Sequence, residues 1–62
     1  MTNEDKALVY DECIRESEQL QRVNSKIKSE YTTNIPQHLQ EEINKNDARI
    51  SVLVRKLEEL FN

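Results

Sequence analysis

The chain has 62 residues, of which 35% are hydrophobic, 34% charged and 5% aromatic, and its net charge is −3. So short a chain forms one domain at most. Its apolar content supports only a thin core, so we expect oligomerisation or a partner to supplement it. A single cysteine and a single histidine exclude an internal disulfide and a closed Cys/His zinc site. The acidic balance argues against a nucleic-acid-binding face.

Secretory signals and membrane-spanning helices have recognisable sequence patterns. No basic N-terminal segment precedes an apolar run, and no apolar run approaches the ~18 residues that a membrane-spanning helix needs. We therefore expect an intracellular protein, cytoplasmic or nuclear, that has no contact with membranes.

Helix-breaking residues divide the chain into two. Glycine is absent and proline occurs once, at Pro36, whereas both residues are disfavoured inside helices. We predict one helical-hairpin domain over residues 1–62, with a helix over 3–30, a turn over 31–35 and a helix over 36–61. Thr2 and Asp5 have the spacing of a capping box at the start of the first helix.

The first helix carries a heptad pattern that Glu16 interrupts. Its apolar positions alternate in steps of four and three, which is typical of the buried seam of a coiled coil. We expect Glu16 to turn outward or to meet a basic group from another chain. The predicted seam residues of this helix are Val9, Cys13, Leu20, Val23 and Ile27.

The break between the helices is predicted from four residues and the proline that follows them. Residues 32–34, two threonines and an asparagine, disfavour helix continuation, and Ile35 precedes a proline, which favours extended backbone. Pro36 then suits the first position of a helix, where its missing N–H costs nothing.

The second helix has the stronger seam. A single Asn in such a seam commonly sets register or oligomeric state, although it could instead turn to solvent. The seam residues are Leu39, Ile43, Asn46, Ile50, Leu53, Leu57 and Leu60.

A short connection favours antiparallel packing of the two helices. With the turn centred at Thr33, Cys13 lies opposite Leu53, and Asn46 lies opposite Leu20, which offers it no hydrogen bond. The residues flanking the seam then give three pairs without like charges: Glu12 with Lys56, Gln19 with Arg49, and Lys26 with Glu42. The alternative is one long helix in a parallel coiled coil, against which Pro36 argues.

Few residues could act in catalysis or in ligand binding, and none has the partner side chains that such a role requires. Cys13 is placed on the seam, far from His38 in the first turn of the second helix, so neither is expected to act as nucleophile or ligand. The basic cluster of Arg22, Lys26 and Lys28 suits local ion pairing better than phosphate binding. We expect no enzyme activity, no cofactor and no metal site.

A second set of apolar residues lies off both seams, towards the open end of the hairpin. Clustered apolar surface often marks an interface. The predicted partner surface consists of Leu8, Tyr10, Ile14, Val52, Val54 and Phe61.

These observations favour an all-α fold, an antiparallel two-helix hairpin that completes a four-helix bundle with its own copies or with partner helices. The first functional hypothesis is a non-enzymatic protein–protein interaction module, as a complex subunit or a self-assembling dimer. The alternative is a small regulatory protein that binds and inhibits or adapts an enzyme. A nucleic-acid-associated factor is disfavoured by charge.

Overall fold

Two long helices make up the fold in the computed structural model, which describes residues 2–61. Helix α1 spans Asn3–Glu30 and helix α2 spans Gln37–Phe61. They pack side by side into a rod of 47 × 14 × 14 Å. Residues early in α1 contact residues late in α2, as Tyr10 contacts Phe61, so the helices are antiparallel. The predicted all-α hairpin is confirmed.

Helix α1 begins with a cap that the sequence predicts. Thr2 has extended backbone, and its Oγ1 accepts a hydrogen bond from the backbone N–H of Asp5 at 3.1 Å. The carbonyl of Thr2 accepts from the N–H of Lys6 at 3.0 Å. The Thr2 hydroxyl thereby satisfies one of the N–H groups that a helix start leaves without partners, and the Thr2 carbonyl accepts the first hydrogen bond of the helix itself. Glu4 and Asp5 place negative charge in the first turn, where it interacts favourably with the positive end of the helix dipole.

The connection between the helices covers residues 31–36, one residue more than predicted. Helix α1 ends where the N–H of Tyr31 donates to the carbonyl of Ile27 at 3.1 Å. The carbonyl of Pro36 accepts from Leu39 and Gln40, at 3.0 and 2.9 Å. Pro36 therefore occupies the cap, and the prediction that it fills the first helical position was wrong by one residue. Its missing N–H costs nothing there either, because the N–H of a cap residue takes no part in the helical hydrogen-bond ladder.

The hydrophobic core is a single narrow layer between the helices. Among residues 2–61, the buried hydrophobic side chains are Cys13, Ile27, Ile43 and Leu53, with Leu53 only 2% exposed. The remaining apolar seam residues are half-buried: Val9, Leu20, Val23, Leu39, Ile50, Leu57 and Leu60. Two helices cover each other on one side only, so the flanks of the seam stay open to water.

Two polar residues share the buried layer, and the heptad pattern does not include them. Ser17 and Asn24 are buried in α1, each one residue beyond a predicted seam position. Ser17 satisfies its hydroxyl locally, since its Oγ donates to the carbonyl of Ile14 at 3.0 Å. The face that α1 turns towards α2 thus lies further round the helix than the apolar residues alone predict.

Candidate interaction surface

A chain of side-chain amides links the two helices near the middle of the hairpin. Asn46 Nδ2 donates to Asn24 Oδ1 at 2.9 Å, and Asn24 Nδ2 donates to Asp47 Oδ1 at 2.9 Å. Asn24 is 5% exposed, so both ends of its amide are used where water has little access. The prediction that Asn46 meets only Leu20, without a hydrogen bond, was wrong, because Asn24 lies in the buried layer and supplies the partner.

On one flank of the seam, Glu16 and Arg49 form a two-point ion pair. Arg49 Nε donates to Glu16 Oε2 at 2.5 Å and Arg49 Nη2 donates to Glu16 Oε1 at 3.3 Å. The hydrogen bonds from Arg49 hold the pKa of the Glu16 carboxyl below its ordinary value, although partial desolvation opposes this shift. The same pairing raises the pKa of Arg49. Glu16 was expected to turn outward or to meet a basic group from another chain, but it pairs with Arg49 of its own chain.

The flanking pairs predicted from the turn centre are not the pairs observed. Arg49 pairs with Glu16 where Gln19 was predicted, because Glu16 and Gln19 are three residues apart on one side of α1 and the carboxylate is the stronger acceptor for a guanidinium. Within residues 2–61, no ion pair joins Glu12 to Lys56 or Lys26 to Glu42. The surface-exposed Arg22 is 3.9 Å from Glu18 on its own helix.

Charge is concentrated on the flank that contains the Glu16–Arg49 pair, which we call the charged flank. Helical spacing places Glu12 one turn from Glu16, and Glu42 and Lys56 two turns either side of Arg49. This flank carries both signs of charge in water, and the exposed Leu8 and Val52 also lie on it, one turn from Glu12 and from Arg49 respectively.

The opposite flank is apolar at the open end of the hairpin. The rings of Tyr10 and Phe61 meet edge to face, with centroids 5.8 Å apart and an interplanar angle of 74°. Phe61 nevertheless remains 68% exposed. An open depression of about 430 Å³ lies beside the two rings and is lined mainly by apolar surface; its other lining residues are Asn3, Lys6 and Ala7.

Helical spacing divides the predicted partner surface into two groups. Ile14 follows Tyr10 by one turn, and Phe61 follows Val54 by two turns, so these four residues share a flank. We call Tyr10, Ile14, Val54 and Phe61 the apolar patch. Leu8 and Val52 are exposed too, but each lies two residues from a member of the patch. Two residues turn a helix by about 200°, which places them on the other side of the rod.

No grouping of reactive side chains accompanies these surfaces. Cys13 is a free, buried cysteine and His38 is exposed near the opposite end of the hairpin. Over the described residues 2–61, no three His, Cys, Asp or Glu side chains come together as a metal site would require.

The apolar heptad pattern predicts neither Asn24 nor Asp47 as members of this region. The available signal was their position: each is the residue after a seam position, and they belong to a second series with steps of three and four. An apolar pattern does not include that series because its central members are polar.

Comparisons with known proteins identify no similar protein. No family model, no curated protein and no solved structure matches this chain. Neither described helix contains a stretch long and apolar enough to cross a bilayer.

Proposed function

We propose that this protein is a non-enzymatic protein–protein interaction module, which joins a larger assembly by packing one flank of its helical hairpin against helices of a partner. The observation that carries the proposal is the apolar patch. Tyr10, Val54 and Phe61 are all more than 40% exposed and lie together on one flank. Clustered apolar surface of this kind, next to a polar surround, is typical of interfaces.

The thin core supports the same conclusion. Leu53 and Ile43 are the only hydrophobic residues of α2 in the buried layer, whereas Phe61 and Val54 on the same helix stay largely in water. Removing apolar surface from water stabilises by about 25 cal/mol per Å². Helices packed on the patch would therefore add to the stability of the hairpin, and two of them would complete a four-helix bundle.

Val52 and Val54 offer a matched test of the proposed surface. They are the same residue type, 43% and 45% exposed, and they lie on different sides of α2. The tagged chain would be used to capture proteins from its native cell, and bound proteins would be quantified by mass spectrometry. We expect Val54→Lys to abolish capture and Val52→Lys to preserve it.

The outcome that overturns the proposal is equal capture by both variants and by the wild type, or equal loss in both while their helicity is intact. Circular dichroism of each variant supplies that control. The identity of the captured protein then separates a structural subunit from a regulator of an enzyme.

A further inference from the structure

Acidic residues border the apolar patch on both helices. On α1, Asp11 and Glu18 each lie one turn from Ile14. On α2, Glu58 lies one turn from Val54. All three acids are exposed, so their carboxylates are open to contact at the edge of the patch.

Basic residues are nearly absent from this border. Within residues 2–61, Lys6 is the only Lys or Arg that lies three or four residues from a member of the patch, and it precedes Tyr10 by one turn. Val52 lies outside the patch, and the residues at these spacings from it include three bases, Arg49, Arg55 and Lys56. Two exposed valines of one helix, Val52 and Val54, therefore have surroundings of different charge.

Two of the bordering acids are not neutralised by a neighbour in the chain. Glu18 lies 3.9 Å from Arg22 in an exposed pair. Over the described residues 2–61, neither Asp11 nor Glu58 takes part in an ion pair. A cation carried by a partner would gain from these carboxylates, because packing on the apolar patch removes water and strengthens the attraction between the charges.

The acids lie outside the apolar residues on each helix. Round α1, at about 100° per residue, Asp11 lies about 60° further from the seam than Ile14. Round α2, Glu58 lies about 40° further from the seam than Val54. The apolar patch spans both helices on one flank, so it forms an apolar strip with an acidic edge on each side.

The depression at the open end has room for an apolar side chain of a partner. Its volume is about 430 Å³, and Tyr10 and Phe61 line it. A cavity of about 150 Å³ is enough to hold a benzene ring. Lys6 lines the depression too, and a lysine can contact an apolar group with its stem while its ammonium group reaches water. One large apolar residue of a partner therefore fits there.

We propose that the apolar patch and its acidic edges form the docking site for one amphipathic helix of a partner protein, in which Lys or Arg flanks the apolar stripe on both sides. Burial of the apolar stripe supplies the affinity. The opposite charges at the edges select the partner and accelerate association, as charged positions beside an apolar seam do in coiled coils. This inference rests on the proposed function, because it assigns a chemistry to the partner on that flank.

A second copy of this chain is a poorer occupant of the site. The two halves of a two-fold interface are the same surface, so each copy would bring Asp11 and Glu58 to a surface whose edges are already acidic. Like charges placed together across an interface are unfavourable. Within residues 2–61, Lys6 alone lies one turn from the patch to offset them. The charge of the border thus favours a basic partner.

Three labelled helical peptides test the charge of the partner. Each is about three heptads long with Leu at positions a and d, and they differ only in carrying Lys, Gln or Glu at positions e and g. Fluorescence anisotropy is recorded while the full-length chain is titrated into each dilute peptide. We expect the Lys peptide to bind at least about tenfold more tightly than the Glu peptide. Equal binding of the two, or no binding of the Lys peptide, would overturn the proposal.

Two pairs of neighbouring acids supply a matched control for position. Asp11→Asn with Glu58→Gln neutralises the edges of the patch, whereas Glu12→Gln with Glu59→Gln removes the same charge from the other side of each helix. Physiological salt screens charges over about 8 Å, which is less than the 14 Å width of the rod. We expect the first pair to raise the dissociation constant of the Lys peptide at least about threefold, and the second pair less than about 1.5-fold. Equal effects of the two pairs would overturn the acidic edges as the binding determinant.

Sedimentation equilibrium and the capture experiment separate the remaining outcomes. A wild-type dimer that Val54→Lys dissociates would overturn the basic helix in favour of a second copy. Loss of cellular capture in Val54→Lys, together with no preference for the Lys peptide, would overturn the charge of the partner and leave the proposed function in place. Circular dichroism shows whether each variant keeps the helicity of the wild type, so that loss of binding is not mistaken for unfolding.

Discussion

Asn46 donates a hydrogen bond to Asn24 across the hairpin at 2.9 Å, and the side-chain amide of Asn24 in turn donates a hydrogen bond to the Asp47 carboxylate. These bonds join three side chains from two helices, so a slip of either helix would break both at once. Asn24 is buried, and a buried amide without partners is costly. The amide chain therefore favours one alignment of the helices within a single molecule.

Replacing one amide should destabilise the hairpin more than replacing both. Asn46→Leu removes the donor from the buried Asn24 carbonyl, and we expect a loss of about 1–3 kcal/mol. The double variant Asn24→Leu with Asn46→Leu removes both amides and adds apolar contact, so we expect it to recover most of that loss. Urea unfolding of the two single variants and the double variant measures the coupling. Additive effects would show that the two amides do not interact.

Leu53 should be among the residues most sensitive to truncation. It is 2% exposed, and Leu53→Ala should cost about 2–4 kcal/mol, as truncation in a packed layer does. The neighbouring Val52→Ala supplies the control, since an exposed position should change stability by less than about 0.5 kcal/mol. Chemical denaturation followed by circular dichroism gives both values. Equal effects at the two positions would contradict the burial of Leu53.

The Glu16–Arg49 pair should make stability depend on pH in the acidic range. Hydrogen bonds from Arg49 lower the pKa of Glu16 in the folded state below its ordinary value of 4.5. A group with a depressed folded pKa contributes stability above its unfolded pKa, and that contribution disappears as the pH falls through the folded pKa. Arg49 stays charged throughout this range. The pair is exposed, so added salt should weaken it.

Glu16→Gln is the matched variant for this effect. We expect it to unfold more readily than the wild type at neutral pH and to match it once the pH is well below 4.5 and the wild-type carboxyl is protonated. Thermal unfolding of both proteins across this range provides the measurement. A difference between them that is the same at acidic and neutral pH would exclude the ion pair as its cause.

The cap at the start of α1 predicts a smaller, local effect. Thr2→Ala removes the hydroxyl that accepts from Asp5 N–H and should cost about 0.5–2 kcal/mol. Thr33→Ala, an exposed position in the connection, is the control and should be nearly neutral. Amide hydrogen exchange in the first turn of α1 resolves the effect. Unchanged protection of Asp5 in the Thr2 variant would show that the hydroxyl contributes nothing there.

Much of the hairpin could be predicted because its signals are local. The bounds of α1 follow from Thr2 at one end and from residues 32–34 at the other. The start of α2 was displaced by one residue, since Pro36 is compatible with both the cap and the first helical position. The residues of the apolar patch were predicted from their positions off the heptad seams, but only the Tyr10–Phe61 contact shows that its α1 and α2 members share one flank.

The amino-acid sequence by itself determined that this protein forms two helices and where the connection between them lies. It also determined that an apolar seam, which includes Ile43 and Leu53, lies between the helices. These properties depend on residue propensities and on the helical period, which act within a few residues. Only the tertiary structure decided that Asn46 meets Asn24 and that Arg49 meets Glu16. A rotation of one helix by a fraction of a turn exchanges such partners at little cost in apolar burial. The choice depends on hydrogen bonds that form only once both helices are packed.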